Sequence, residues 1–284
     1  MLYREGMEEK LIISAIAALT LLPVGLYCWR NDAKRGGIFW LLLLAVVFVF
    51  AGWLLYRLQT GWQRGLSDTL YVCVAATSIF FTLTVYQLRE GWRVASILFP
   101  YLFILCVLAL LAPDGQAPQH APNTPNTTIQ IAGLSAISRW TVIHILSNVI
   151  AYATITMAAV AACAVLIQER FLKAKNAGPW SKRLPPVADS ERIEVFCLAT
   201  SEAVLLIGII SGMALQLGSS GSLLEFDHKT LLTIVAFAIV GLLLLARAKS
   251  GIRGRFVARF VLLSYLLITL GYPGVKWVTD VLLT

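Results

Sequence analysis

The chain has 284 residues, of which 58% are hydrophobic and only 13% charged, with a mean hydropathy of +0.79. A water-soluble domain of this length would carry about twice that charge fraction, so the composition excludes an ordinary soluble enzyme and marks a polytopic membrane protein. The net charge of +8 is not a nucleic-acid signature, because the basic residues sit in short connections between apolar runs, where they orient a chain in a bilayer.

Eight apolar segments can each cross a hydrocarbon layer that needs roughly 20 helical residues. They span about residues 11–29, 38–56, 67–87, 94–112, 139–168, 193–217, 229–247 and 257–282. Helices are expected because backbone groups in lipid must be satisfied within their own segment. The fold class is therefore all-α, a polytopic membrane bundle of about eight transmembrane helices. The N-terminus has mixed charge, and no small-residue cleavage site follows the first apolar run, so that run reads as a retained helix rather than a signal peptide.

The connections alternate in charge. The odd-numbered ones carry 15 Lys and Arg residues and the even-numbered ones 2, Arg89 and Arg93 lying in the third and Arg57 and Arg64 in the second. The positive-inside bias then puts the odd connections in the cytoplasm and both termini on the periplasmic side. The fourth connection, residues 113–138, contains four prolines and no Lys or Arg, and is expected to be an extended periplasmic loop. It separates a front half, 1–112, from a back half, 139–284, each with four helices.

The five cysteines lie in or beside apolar segments without a C-x-x-C pair, and read as small buried hydrophobes. The tryptophans, at 29, 40, 53, 62, 92, 140, 180 and 277, fall mainly near helix ends and read as interfacial anchors. Phosphate-loop, nucleophile-elbow and His-Glu-x-x-His motifs are all missing, which argues against a hydrolase or an ATPase.

The polar signals lie in the back half. His144 sits near the outer end of the fifth segment, with Asn148 one turn further on the same face. His228 opens the seventh segment, also at the outer end. Each fits either a hydrogen-bonded interfacial histidine or an axial ligand for haem iron or a metal. His120, in the long loop, is expected to be solvated. Asp227 fits a helix cap. Lys229 fits either a snorkelling lysine or the partner of an anion such as a haem propionate. Glu202, about 13 Å inside the sixth segment at 1.5 Å per residue, is an intramembrane carboxylate and a site candidate for that reason. Gly208 and Gly212 in the same segment signal close helix packing.

Four stretches carry a family resemblance. They are Val-Ile-His-Ile-Leu-Ser with Ala-Tyr-Ala (142–153), Leu-Pro-Pro with Ser-Glu-Arg (184–192), Phe-Asp-His-Lys-Thr (226–230) and Gly-Ile-Arg-Gly-Arg (251–255). In this order and spacing they resemble the cytochrome c assembly family of haem-handling membrane proteins, CcsA and CcmC, and especially its smaller HemX/YpjD-type members. The resemblance covers about Arg139 to Val278; the first four segments match in hydropathy and length. It implies a bacterial inner-membrane protein that binds haem near the outer face, works beside other membrane proteins of cytochrome biogenesis or haem metabolism, and is not itself an enzyme. It makes His144 the family's histidine preceding the haem-binding loop, and makes Phe226, Asp227 and Lys229 the end of the tryptophan-rich loop. Residues 213–226 contain no tryptophan, and His228 stands at the family's proline position. His228 as a second ligand is therefore an inference from topology alone.

Two further readings compete with haem handling. One is a non-catalytic scaffold or regulator of the HemX/YpjD type that has lost the cofactor. The other is a small-solute transporter with Glu202 as its coupling residue.

Overall fold

The computed structural model describes residues 2–30, 33–60, 65–112, 139–175, 178–220 and 228–271. All regular structure in it is helical: α1 (Leu2–Leu19), α2 (Leu21–Trp29), α3 (Gly37–Thr60), α4 (Leu66–Gln87), a 3₁₀ turn (Gly91–Val94), α5 (Ala95–Leu111), α6 (Arg139–Lys173), α7 (Pro179–Arg183), α8 (Val187–Ser220), α9 (His228–Ser250) and α10 (Arg255–Thr269). Seven spans among the described residues are long and apolar enough to cross a membrane. They coincide with the first seven expected segments. The eighth is seen as α10 up to Thr269, and the residues after 271 lie outside those described, as do the long loop 113–138 and its His120.

Local chemistry explains the departures from simple rods. The first segment is broken at Thr20, between α1 and α2. Pro23 has no N–H and its ring would meet the carbonyl of Leu19, so the helix cannot run straight through. Thr20 turns its hydroxyl back onto the Ala17 carbonyl at 2.7 Å. Elsewhere buried Ser and Thr satisfy their hydroxyls within their own helix, as Thr77 does on Cys73 (2.6 Å) and Thr156 on Tyr152 (2.7 Å). In an apolar interior that pairing avoids an orphaned donor.

Helix α6 is the axis of the bundle. Its middle is built from small residues, Ala151, Ala153, Ala158, Ala159, Ala161, Ala162 and Ala164, all buried. Small side chains let neighbouring backbones approach, which is how membrane helices gain contact without a water-driven core. Helix α8 packs along most of α6, and α10 and α4 pack on its other sides. The front and back halves are joined by a cluster of tyrosine hydroxyls: Tyr101 of α5 bonds Tyr265 of α10, and each lies 3.4 Å from Tyr152 of α6. Phe80 of α4 stacks on Phe196 of α8 at 6.4 Å.

Two expectations change. Trp53 is not an interfacial anchor: it is 2% exposed, stacks on Tyr71 at 4.8 Å, and its Nε1 donates to Ser14 Oγ at 3.1 Å. Arg57 is not a loop charge. It lies in α3, is buried, and is ion-paired with buried Asp68 of α4. The five cysteines are unpaired, four of them buried, as expected.

One end of the bundle carries the α6–α8 and α9–α10 connections, and there two of the four resemblance stretches meet, 184–192 and 251–255. Gln168 of α6 donates from Nε2 to the carbonyls of Ser181 (2.8 Å) and Pro185 (3.1 Å), so it ties down the chain around the Leu-Pro-Pro stretch. Glu191 of the Ser-Glu-Arg stretch accepts the Gly254 N–H at 2.9 Å and faces Arg247 at 3.6 Å. Arg255 faces Glu169 at 3.3 Å. The Gly-Ile-Arg-Gly-Arg turn is therefore a clasp between three helices rather than only a basic marker. Gly254 has φ 74° and ψ −145°, and a Cβ there would lie 2.7 Å from Glu169 Oε1. Gly254→Ala is expected to destabilise the bundle by about 2 kcal/mol, mostly from that backbone conformation. A thermal melt of the purified variant checks it, and an unchanged midpoint would show that the turn relaxes freely.

Candidate functional site

The site forms where α6 and α8 come closest at the opposite end of the bundle. His144 lies one and a half turns inside α6 and projects onto α8 at Gly208 and Gly212. Those two glycines are its seat. A Cβ at Gly212 would lie 3.1 Å from His144 Cε1 and 3.4 Å from Nδ1, and one at Gly208 would lie 3.2 Å from Ser147 Oγ. The Gly-x-x-x-Gly spacing thus does more than bring two helices together, because the space it opens is filled by an imidazole.

Hydrogen bonds set the ring's tautomer. His144 Nδ1 lies 3.0 Å from the Gly208 carbonyl, an acceptor only, so Nδ1 carries the proton. Ser211 Oγ lies 3.3 Å from the same nitrogen and itself donates to Gly208 O at 3.0 Å. Nε2 is then left with a lone pair, toward which Asn148 Nδ2 donates at 3.0 Å. An imidazole anchored through Nδ1–H on a backbone carbonyl, with Nε2 basic, is the arrangement that metal-bound histidines adopt.

His144 and Asn148 line a cavity of about 530 Å³ between α6, α8, α9 and α10. Leu205, Ile209, Met213 and Ile234 give it apolar walls; Gln216, Thr230 and Thr233 add polar atoms; and Tyr152 connects it to the tyrosine cluster. Among the described residues no group of three His, Cys, Asp or Glu side chains could hold a metal ion. A bare transition metal needs three or four protein ligands. Iron in a macrocycle needs only axial ones. One imidazole in an apolar cavity suits the second case.

The structure brings His144 and Asn148 together as expected. It also brings the first turn of α9 to the same cavity, through Thr230, two residues after His228. The backbone of His228 and Lys229 opens α9, but their side chains, together with Phe226 and Asp227, lie outside the described residues. Glu202 stands apart from the cavity. Because α8 begins at Val187, it sits about 22 Å along that helix at 1.5 Å per residue. Its Oε1 occupies the notch over Gly241 of α9, where a Cβ would lie 2.7 Å away, and Oε2 has no hydrogen-bond partner among the described residues. Glu194, two turns nearer the helix start, is wholly buried with neither oxygen bonded among the described residues. Glu194 and Ser211 belong to no motif in the sequence, and Tyr152 stands out there only as part of the Ala-Tyr-Ala stretch. Only the helix contacts bring Tyr152 to the cavity and Ser211 to His144 Nδ1.

Seven candidate membrane spans among the described residues, with a hydrogen-bonded imidazole facing a largely apolar cavity, define the chain as a polytopic helical membrane protein. The chain belongs to the cytochrome c assembly protein family, whose model matches residues 38–283. That match begins in α3, far ahead of the Arg139 at which the sequence stretches start. The chain is also 41% identical, over 98% of its own length and all of the relative's, to an uncharacterized 28.8 kDa protein in a nifR3-like 5′ region of Azospirillum brasilense. No solved structure matches it.

Proposed function

We propose that this chain handles haem at the periplasmic face of a bacterial inner membrane, taking it as cargo into the α6–α8 cavity with His144 Nε2 as the iron ligand. The observation that carries the reading is the Nδ1–H contact to the Gly208 carbonyl, which leaves Nε2 as the nitrogen with the lone pair. Family membership supports it, because haem handling is the work of this family. Within the family, the absence of tryptophan from 213–226 fits the HemX/YpjD-type branch, and the role is accessory to other membrane proteins of cytochrome biogenesis or haem metabolism rather than enzymatic. His228, Asp227, Lys229 and Phe226 extend the site at the start of α9, with His228 as the second ligand and Lys229 as the partner of a propionate.

Haem supplies the iron and its four equatorial nitrogens. The chain supplies the rest. Gly208 O and Ser211 hold the imidazole against rotation, largely apolar walls would receive the macrocycle, and Asn148 covers the lone pair that would be given to the iron. Asn148 is thus a latch whose hydrogen bond is exchanged on binding. Purified full-length protein mixed with haem is expected to give a Soret band shifted from that of free haem. A titration that leaves the free-haem spectrum unchanged under both oxidising and reducing conditions would overturn the proposal. Asn148→Ala is expected to tighten haem binding roughly fivefold, since a net hydrogen bond of about 1 kcal/mol no longer competes. The same titration reads it, and weaker binding would instead make Asn148 a direct contact.

A further inference from the structure

We propose that the other end of α8 carries a separate binding site for a phosphate-type oxyanion, of the kind borne by an anionic phospholipid headgroup. A pocket of about 420 Å³ lies there, between the start of α8, the end of α9 and the α9–α10 turn. Three guanidinium groups line it, Arg192, Arg247 and Arg253, against the single carboxylate of Glu191.

That carboxylate is already committed. Oε1 accepts the Gly254 N–H and Oε2 faces Arg247. Asp189 and buried Glu194, the other carboxylates on this part of α8, do not line the pocket, and Glu194 is acted on by Arg247. Arg192 and Arg253 are exposed and make no ion pair among the described residues. Arg247 Nη1 is buried without a hydrogen-bond partner among those residues. The pocket therefore keeps an excess of positive charge that the fold does not neutralise.

The remaining wall is apolar. Phe196, held in place by its stack on Phe80, lines the pocket with Val195 and Ala188. A planar guanidinium matches two phosphate oxygens at once. Basic pockets between membrane helices beside apolar surface suit an anionic headgroup with its chains in the bilayer. Basic residues that only orient a chain need no pocket and no such wall.

Full-length protein in nanodiscs of phosphatidylcholine, with or without phosphatidylglycerol, tests the site. Native mass spectrometry reads retained lipid and a thermal melt reads stabilisation. Phosphatidylglycerol is expected to be retained in preference to phosphatidylcholine. The double variant Arg192→Gln with Arg253→Gln, both on exposed side chains, is expected to weaken that retention roughly 30-fold, at one charge contribution per arginine. The charge-matched pair Lys173→Gln with Lys175→Gln, outside the pocket, is expected to leave it unchanged. Inorganic phosphate forms the second arm. If it alone stabilises the protein and displaces phosphatidylglycerol, the site takes free phosphate; if it does neither, the lipid is the source. Equal loss in the lysine pair, or no preference for phosphatidylglycerol together with no effect of phosphate, overturns the site.

Discussion

His144→Ala is expected to remove haem binding while leaving the bundle folded. The substitution deletes Nε2, the proposed ligand atom, and the contacts to Gly208, Ser211 and Asn148. Interhelical hydrogen bonds in membrane proteins average about 0.6 kcal/mol, so the structural loss is on the order of 1 kcal/mol. The loss of an iron ligand is far larger and exceeds the roughly 10–100-fold that supporting contacts around metal ligands contribute. Gly212→Val provides the second arm. It keeps every polar atom of the site but drives side-chain atoms into the space of His144 Cε1. The ring cannot move aside without giving up the Gly208 carbonyl. Haem affinity is expected to fall roughly 10–100-fold, as for other displaced supports of a metal ligand. Titration of both variants, with gel filtration to confirm the fold, checks the pair. A His144→Ala protein that binds haem like the parent would remove His144 from the site.

The largest effect on stability is expected at the buried ion pair of Arg57 and Asp68. Asp68→Ala should destabilise the bundle by about 3–5 kcal/mol, because it leaves the Arg57 guanidinium buried without its counter-ion. Arg57 and Asp68 have side chains 5% and 2% exposed, and Arg57 Nε and Asp68 Oδ1 lack partners among the described residues. The pair is therefore costly to bury even when intact. Replacing both partners, Asp68→Leu with Arg57→Met, should restore most of the loss, since an apolar pair of similar volume carries no desolvation penalty. Denaturant unfolding of the parent, the single variant and the double variant decides it. If the double variant is as unstable as the single one, packing rather than charge governs the position.

Much of this architecture was legible because lipid imposes a simple rule. A span must be apolar and helical over its whole length, so composition along the chain marks the spans without any knowledge of contacts. Arg57 shows the limit of that rule. A charge near a span end looks the same whether it faces water or a buried aspartate eleven residues on. Trp53 shows it again, since an indole suits an interface and a packed core equally well.

By itself, the sequence determined the helical class, the membrane setting, the order of seven spans and the choice of His144 with Asn148. Each depends on residues near one another along the chain, where hydropathy and helical period speak directly. Only the tertiary structure decided that Gly208 and Gly212 seat the imidazole, and that Gly254 closes a clasp with Glu191 and Glu169. It alone decided that three arginines line one pocket. These facts depend on which faces of separate helices meet. In a membrane that meeting is settled by small residues and a few polar contacts rather than by hydrophobic burial, so no apolar stripe announces it in advance.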